Sequence, residues 1–419
     1  MPEWKCLPGR GLSGFKTGLS LQNQDAPLNS KLQKTGLSPI NRILYNLPMP
    51  TFDVSREWTI LLPSEAVNAK KAAEDLSRYI GLLASFNKNS PTKAPVITDT
   101  QESNHPGAII VLNSAGNSPV QNGFSWRAGT EQVEIYGESD RGLCNGIYSF
   151  LSALGINWPA PGKEILPRPG TDLQTGLQPG TDPQTDLPGL PLAVDKAYEP
   201  SQYTGDRPIE APLRRFIPDG KKAINNILKN SEAFAAWTAR KRYDAIIFPL
   251  TAFSSGSARR KLKQLIQTAG AYGISLEAGG RDLSSLVPRK YFLLHRDFFR
   301  MVEGRRKKNH HFCPTNPGTI RIINKEGAKL FRAAEGIKVF HLWPDKGAEN
   351  VWCSCPTCRA FAPPEQNRIA VNAAADVLTQ LNPDALITYI EEAGTGGNIP
   401  LRKNLSRLER LPNENESFA

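Results

Sequence analysis

Hydrophobic positions begin to follow a regular pattern at Trp58, where the run W-T-I-L-L-P is typical of a buried strand. Ser64 is predicted to cap a helix that follows. Small and apolar side chains recur there at helical spacing, at Ala66, Ala69, Ala72, Ala73, Leu76, Tyr79 and Ile80. Two further strands are predicted at Ala108 to Leu112 and at Gln132 to Tyr136, and a second helix from Arg141 to about Leu154. This order predicts a small α/β domain with helices on one face of its sheet.

The pattern resumes after the first two hundred residues with longer units. The predicted strands are Arg215 to Ile217, Ala245 to Leu250, Ile274 to Ala278, Ile337 to Trp343 and Leu386 to Ile390. The predicted helices are Ile224 to Arg240, Arg260 to Ala271, Ile320 to Ala334 and about Glu365 to Leu381. Short apolar strands that alternate with helices favour a parallel sheet, so we predict a TIM barrel with its chemistry on the loops after the strands. A closed barrel needs eight strands, and five units therefore predict a partial TIM (β/α) barrel, either in a fragment or in an unusually completed fold.

Composition divides the chain into four predicted segments. Residues 1–52 are rich in Gly, Ser, Asn and Pro and contain K-T-G-L-S twice, which predicts a disordered or spurious extension. Residues 53–166 form the first α/β domain. Residues 167–205 carry the near copies P-G-T-D-L-Q-T and P-G-T-D-P-Q-T and are predicted to be a linker. Residues 206–419 form the incomplete barrel.

Charge and targeting signals narrow the choice of partners only slightly. The 51 Lys and Arg residues exceed the 40 Asp and Glu residues by 11, which favours acidic partners in general. The basic run Arg305 to Lys308 is predicted to be a solvated loop, and no nucleic-acid-binding module accompanies it. No stretch is apolar enough for a membrane span, and the start lacks the apolar core of a signal peptide. The sequence as written predicts a cytoplasmic protein, and a start of translation at another position would reopen this prediction.

Acidic residues follow two of the predicted strands. Asp345 and Glu349 lie in the turn after the fourth strand, and Glu391 and Glu392 follow the fifth. In a barrel these carboxylates would lie on the catalytic face. We therefore predict catalytic roles for them, with a turn or helix-cap aspartate as the alternative for Asp345.

Other side chains near the predicted strand ends have two interpretations each. Arg215 could bind sugar hydroxyls through its planar fork of donors or pair with a neighbouring carboxylate. Trp343 and Trp352 could stack on a sugar or belong to the core. The G-G-R segment at Gly279 is predicted to be a tight turn, with close approach to a ligand as the alternative. His295 and Asp297 are predicted to be packing and surface residues of a helix.

Three cysteines have the spacing C-x-C-x-x-C, at Cys353, Cys355 and Cys358. Zinc in a structural site needs four ligands, and Cys313, His310 and His311 are the candidates for the fourth. The alternatives are a disulfide or redox pair and reduced thiols that pack in the core. A reactive nucleophile is disfavoured because no base is adjacent. The predicted cofactor is therefore a structural zinc ion, with none required for catalysis.

The first domain resembles the N-terminal accessory domain of alpha-glucuronidases and of bacterial beta-hexosaminidases. Its helix and the following turn carry the resemblance in R-G-x-x-x-G-x-Y-x-F-L-x-x-L-G-x-x-W-x-x-P-G. The matching positions are Arg141, Gly142, Gly146, Tyr148, Phe150, Leu151, Gly155, Trp158, Pro161 and Gly162. The resemblance implies that this domain precedes a TIM barrel and carries no catalytic residue.

The second half resembles a bacterial family known as domain of unknown function 4838, in which that accessory domain joins a glycoside-hydrolase-like barrel. Four motifs carry this resemblance: L-V-P-R-K-Y-F-x-x-H-R-D-F-F, F-C-P-T-N-P-G, H-L-W-P-D-K-G and W-C-S-C-P-T-C-R. F-H-L-W-P-D-K is also similar to the F-H-x-G-G-D-E turn of beta-hexosaminidases, and R-F-I-P-D-G to their R-x-x-x-D opening. The similarity implies substrate-binding roles for Arg215, His341 and Asp345.

One departure changes what the resemblance implies. Lys346 stands where the hexosaminidases have their general acid, and a lysine cannot take the place of a carboxylic acid with a raised pKa. Glu349, Glu391 or Glu392 would then supply the acid. The predicted function is a glycoside hydrolase that acts on a substituted or acidic glycan. The alternative is a carbohydrate-binding or inactive member of the family.

Overall fold

The computed structural model describes residues 52, 54, 56–86, 93–99, 107–114, 122–129, 131–167, 204–207, 213–345, 347, 351–390, 399–402 and 405–408. These residues belong to one compact unit. Residues 1–51, which make up nearly all of the predicted extension, and most of the predicted linker lie outside the described residues. The boundaries between the four predicted segments therefore stay predictions.

The first layer is a sheet of six strands with two helices packed on it and on each other. Its strands are β1 (Trp58–Leu62), β2 (Val96–Asp99), β3 (Ala108–Ser114), β4 (Phe124–Ala128), β5 (Gln132–Gly137) and, beyond the short hairpin of β6 (Asn157–Ala160) and β7 (Lys163–Ile165), β8 (Thr204–Arg207). The helices are α1 (Lys70–Ser85) and α2 (Asp140–Ala153). The order is β2-β1-β3-β5-β4-β8, in which the first four strands are parallel and β4 and β8 are antiparallel to their neighbours.

Helix α1 begins later than the sequence predicted. A 3₁₀ turn at Val67–Ala69 precedes it, and Ala69 occupies the capping position, so the prediction that Ser64 caps this helix was wrong. The Ser64 hydroxyl instead bonds to the carboxylate of Glu65 in the preceding turn. Helix α2 does have a serine cap, because the Ser139 side chain accepts from the Gly142 N–H.

The second layer is a sheet of six parallel strands in the order β9-β10-β11-β14-β15-β16. The strands are β9 (Arg215–Phe216), β10 (Ala245–Phe248), β11 (Ser275–Gly280), β14 (Val339–Leu342), β15 (Leu386–Ile390) and β16 (Leu405–Leu408), and the small hairpin of β12 (Met301–Val302) and β13 (Arg305–Arg306) lies between β11 and β14 along the chain. The helices are α3 (Gly220–Lys229), α4 (Ser231–Arg240), α5 (Leu250–Ser254), α6 (Gly256–Gly270), α7 (Pro317–Ile322), α8 (Ala328–Ala333) and α9 (Pro363–Leu381). The predicted α/β class with a partial barrel is confirmed, and the described strands do not close into a ring.

The two faces of this parallel sheet differ in polarity. On one face, aromatic side chains of the strands pack on the helices, as Phe216 does on Phe234 and Trp237, and Phe340 on Phe331. On the other face, alternation along the strands places Arg215, Glu277, His341 and Thr388. A closed barrel would enclose this second face. The charged residues of the sheet thus lie on the face that would line the interior of a barrel, below the loops that follow the strands.

Two predicted helices are interrupted. The predicted helix from Ile224 to Arg240 is divided into α3 and α4 at Asn230, whose φ of −123° and ψ of 45° are not helical. Between α7 and α8 the backbone forms a π turn at Ile323–Gly327. No helix in the described ranges combines the length and the apolar character needed to cross a membrane.

Candidate active site

Two aspartates lie at the carboxyl ends of neighbouring parallel strands. Asp282 follows β11, and Asp345 follows β14, which pairs directly with β11. Backbone hydrogen bonds continue past the strand ends: Trp343 N donates to the Gly280 carbonyl at 3.1 Å, and Leu283 N donates to the Trp343 carbonyl at 3.2 Å. The two acidic loops are therefore held beside each other by the same ladder that joins the strands.

Asp345 is held by the loop that follows Asp282. Its Oδ1 accepts from the Ser284 N–H at 3.2 Å, and its Oδ2 lies 3.7 Å from Nη2 of Arg289. The ion pair is not sealed beneath the surface, because the two side chains keep 17% and 35% of their area exposed. Arg289 Nη1 is buried and has no hydrogen-bond partner among the described residues. A cationic group with one buried, unbonded N–H group thus lies next to the carboxylate.

Asp282 is a candidate site residue that the sequence prediction missed. Its Oδ2 accepts from the N–H of Leu250, the first residue of α5, at 3.1 Å. Burial, and then the negative charge of Asp345, raise the pKa of Asp282 to about 7, although the Leu250 N–H acts in the opposite direction. A carboxylic acid with a pKa near neutrality can donate a proton at physiological pH. The residues G-G-R-D, directly after a buried strand, are the sequence signal that could have identified it.

Below the two aspartates, a buried chain of hydrogen bonds crosses the sheet. Arg215 Nε donates to Glu277 at 2.7 Å, and the same carboxylate oxygen lies 2.7 Å from His341 Nε2. His341 Nδ1 lies 2.6 Å from the Thr388 hydroxyl, which also accepts from Trp343 Nε1 at 3.0 Å. The chain joins residues from β9, β11, β14 and β15 with a tryptophan just after β14. It fixes the spacing of the strand ends that carry the site.

Neighbouring polar and charged groups keep Glu277 ionised within these hydrogen bonds. Burial alone would raise the pKa of Glu277, but the hydrogen bond and charge of His341 and the nearby Arg215 hold it below the ordinary value. Burial lowers the pKa of His341, although Glu277 acts in the opposite direction. The favoured state is therefore an ionised Glu277 that pairs with Arg215 and is hydrogen-bonded to His341.

The structure brings three predicted substrate-binding residues together but buries two of them. Arg215 keeps 12% of its side chain exposed, whereas His341 and Trp343 are both 0% exposed. Trp343 therefore offers no ring face to a sugar in this conformation. Trp352 is also buried and stacks on His311 at 4.2 Å. Glu349, Glu391 and Glu392, as well as Lys346, lie outside the described residues.

Two further expectations from the sequence are resolved by the geometry. Gly279 and Gly280 end β11 and do not form a separate turn; a Cβ on Gly279 would stand 2.0 Å from the His341 carbonyl oxygen. His295 lies between two short 3₁₀ helices, not in an α-helix, and its ring stacks on Phe298 at 4.6 Å.

The fourth cysteine of the predicted metal site is supplied by a distant part of the chain. The Sγ atoms of Cys313, Cys353, Cys355 and Cys358 all lie within 4.8 Å of one another, and all four residues are buried. These cysteines are free thiols in the structure. Such a cluster can hold a metal ion.

A groove on the opposite side of the sheet contains none of the predicted site residues. It has a volume of about 1020 Å³ and lies between α7–α8 and α9, with Ile320, Arg332, Asn372 and Asp376 among its lining residues. The groove is therefore on the helical side of the parallel sheet, away from the loops that carry Asp282 and Asp345.

No family model and no curated protein matches the chain. Solved structures similar to it include a chitobiase from Flavobacterium johnsoniae, at 13% identity and a TM-score of 0.47, over 88% of this chain and 54% of that chain. A beta-N-acetylhexosaminidase from Bacteroides fragilis is 12% identical, with a TM-score of 0.42, over 86% and 66% of the two chains. A mutant beta-hexosaminidase from Streptomyces plicatus, in complex with the product GlcNAc, is 11% identical, with a TM-score of 0.42, over 81% and 63%. This chain spans about half the length of the first of these. The resemblance to domain of unknown function 4838 stays a prediction.

Proposed function

We propose that the protein is a glycoside hydrolase whose general acid is Asp282 and whose ionised partner is Asp345. The observation that supports this proposal is the pair itself: two carboxyl groups follow adjacent parallel strands, and burial together with the charge of one raises the pKa of the other to about 7. Glycosidases need one protonated and one ionised carboxyl group. The pair differs from the predicted one, because Asp282 replaces the glutamates as the candidate acid.

In the proposed reaction, Asp282 donates its proton to the glycosidic oxygen as the bond from that oxygen to the anomeric carbon breaks. Asp345 stabilises the positive charge that develops on the sugar ring, and water adds to the anomeric carbon. The water gives up a proton that returns to Asp282, so that Asp282 is protonated and Asp345 ionised again. The proposed reaction requires no cofactor.

A substituted or acidic glycan is the proposed substrate class. Arg289 has a buried donor next to Asp345, and Arg215 is partly exposed beneath it. A guanidinium group binds a carboxylate through two parallel N–H donors, which suits a uronic acid. The excess of 11 basic residues in the chain is in agreement with an acidic ligand.

A panel of chromogenic glycosides, which includes N-acetylglucosaminides and glucuronides, tests this proposal. We expect hydrolysis of at least one substrate, with kcat reduced about 100-fold or more in Asp282→Asn and in Asp345→Asn. The control is Asp384→Asn, which changes an exposed aspartate next to β15 and should leave kcat unchanged. Equal activity of all four proteins would contradict the assignment.

Glycan binding without catalysis is the second candidate function. It is favoured by the hydrogen bonds that both aspartates already make, since Asp282 accepts from Leu250 N and Asp345 from Ser284 N. Aspartates in such positions also serve as caps and turn residues. Calorimetric titration with the same sugars would show binding but no turnover, and Asp282→Asn would then leave the affinity unchanged.

A further inference from the structure

The four clustered thiols have the geometry of a tetrahedral metal site. Cys313 Sγ lies 3.7 Å from Cys355 Sγ and 3.6 Å from Cys358 Sγ. Zinc–sulfur bonds of about 2.3 Å in a tetrahedron place the sulfur atoms roughly 3.8 Å apart. The observed separations are close to this value. From this geometry we propose that Cys313, Cys353, Cys355 and Cys358 bind one structural zinc ion.

Hydrogen bonds to the sulfur atoms support their ionised form. The Met301 N–H donates to Cys353 Sγ at 3.2 Å, and Arg306 Nη1 lies 3.7 Å from the same atom. The Thr315 hydroxyl lies 3.0 Å from Cys358 Sγ. Donors of this kind orient thiolate ligands and offset part of their negative charge. The donors come from β12, β13 and the turn after Cys313, so the surroundings of the sulfur atoms are built from several segments.

Burial of all four side chains is a further argument for a cation. The exposed fractions of the four cysteines range from 0% for Cys358 to 4% for Cys355, and they form a cluster separate from the main core. Four cysteines this close together and this buried can bind a cation as thiolates, and the cation would neutralise the charge that burial otherwise disfavours. Zinc suits the site because it accepts four thiolates and has no open coordination position in a structural role.

The proposed ion would join two loops to the start of α9. Cys313 follows the β12–β13 hairpin, whereas the other three cysteines lie in the loop between Asp345 and α9. Gln366 in α9 accepts from Cys353 N and donates to the carbonyls of Cys353 and Cys358. The zinc site would therefore fix the far end of the loop that begins at Asp345. It is independent of whether the aspartates are catalytic.

Metal analysis and X-ray absorption of the purified full-length protein test the proposal without any mutation. We expect about one zinc ion per chain and a first shell of four sulfur atoms at about 2.3 Å. A shell of three sulfur atoms and one nitrogen would overturn the role of Cys313 in favour of a histidine. A protein without stoichiometric metal, with the thiols either reduced or paired as disulfides, would overturn the site altogether.

Matched variants identify the fourth ligand. Cys313→Ser should lower the zinc content about five-fold or more after dialysis against a chelator, because three thiolates hold zinc less tightly than four. The control Cys144→Ser removes a buried thiol in α2, far from the cluster in sequence, and should retain one zinc ion. His311→Ala should also retain it. Loss of zinc in His311→Ala but not in Cys313→Ser would contradict the proposed ligand set.

Discussion

Glu277 is the central residue of the buried chain below the candidate site. It lies on β11 and joins Arg215, 62 residues earlier, to His341, 64 residues later. Its side chain is only 3% exposed, so water cannot readily replace the Glu277 carboxylate as a hydrogen-bond partner of Arg215 or His341. A buried charge that loses its partner is strongly destabilising. The stability of the strand ends therefore depends on this carboxylate.

Glu277→Gln is expected to lower the free energy of unfolding by about 3 kcal/mol, because it leaves the guanidinium of Arg215 without its buried counter-charge. Glutamine can still bond to His341, so most of the loss is electrostatic. Urea unfolding monitored by tryptophan fluorescence measures it. Glu134→Gln, on an exposed position of β5, is the control and should change stability by less than about 0.5 kcal/mol. Equal losses in both variants would contradict the role of Glu277.

For Asp282 we predict a folding stability that falls as the pH rises. Its pKa is raised from 3.8 to about 7 in the folded protein, so the unfolded chain ionises first as the pH rises. Stability linked to Asp282 is therefore fully present below pH 3.8 and is lost as the pH rises through about 7. Asp282→Asn should remove this loss, which we expect to be on the order of 2 to 4 kcal/mol because the side chain is partly exposed.

Urea unfolding at several pH values from about 4 to 8 measures that difference, with Asp384→Asn as the exposed control. The control should follow the pH dependence of the unmutated protein. The charged neighbours of Asp282, which are Asp345 and Arg289, are present in all three proteins, so the comparison of pH dependence isolates the change at Asp282. Parallel curves for Asp282→Asn and the unmutated protein would contradict the raised pKa.

The sequence indicated some of these residues and not others for a physical reason. Arg215, His341 and Asp345 were identified because they belong to short motifs at predicted strand ends. Glu277 was missed because its function depends on partners more than sixty residues away, which only the parallel pairing of strands brings together. For the same reason, Cys313 was only one of three candidates for the fourth metal ligand, beside His310 and His311. Local patterns indicate which residues are unusual, but the sheet decides which of them meet.

At the scale of elements, the close approach of β11 and β14 depends on one glycine. Gly279 has a φ of +113°, and an added Cβ would meet the His341 carbonyl oxygen at 2.0 Å. That distance is to backbone, which cannot rotate away. The pairing that sets Asp282 beside Asp345 therefore requires a residue without a side chain at this position.

Gly279→Ala is expected to destabilise the protein by about 3 kcal/mol or more, through the contact with β14 and the unfavourable φ. Gly256→Ala is the matched control, because Gly256 opens α6 and an added Cβ there meets nothing within 4 Å. Alanine is the better helix former, so the control should be neutral or slightly stabilising. Thermal unfolding of the two variants measures the difference, and a Gly279→Ala protein as stable as the control would contradict the close approach.

The elements that the sequence failed to predict share weak hydrophobic patterns. β2 has no fully buried residue, and β4 alternates in the short segment F-S-W-R-A, which a search for apolar runs passes over. The break at Asn230 lies within a continuous helical pattern, so periodicity gave one helix where there are two. By contrast, the strands with continuous apolar runs, such as β10, were located to within a few residues. Short strands such as β2 and β4, and local breaks such as the one at Asn230, depend on neighbours in space and leave no continuous apolar run in the sequence.

At the scale of the whole molecule, the first layer is fixed to the parallel sheet by polar groups of α2. Arg141 is 6% exposed and donates to the carbonyls of Tyr243 at 2.7 Å and Tyr272 at 3.1 Å. Its Nε also lies 3.7 Å from Asp244, which in turn accepts from Asn145. Arg141, one of the residues that carried the resemblance to accessory domains, thus has a structural role. It binds the chain segments that follow α4 and α6, where unpaired carbonyls attract a cation.

Arg141→Met keeps the length and packing of the side chain but removes these bonds and the buried charge that lies next to Asp244. We expect the free energy of unfolding to fall by about 3 to 5 kcal/mol. Unfolding of the two layers should also become less cooperative, since their contact would lose one of its buried charged groups and keep the ion pair of Arg240 with Asp75. Urea unfolding followed by circular dichroism and by tryptophan fluorescence measures both effects. The control is Arg127→Met on an exposed position of β4, which should unfold as the unmutated protein does. A single coincident transition in Arg141→Met, with a loss below about 1 kcal/mol, would mean that Arg141 is not needed to join the layers.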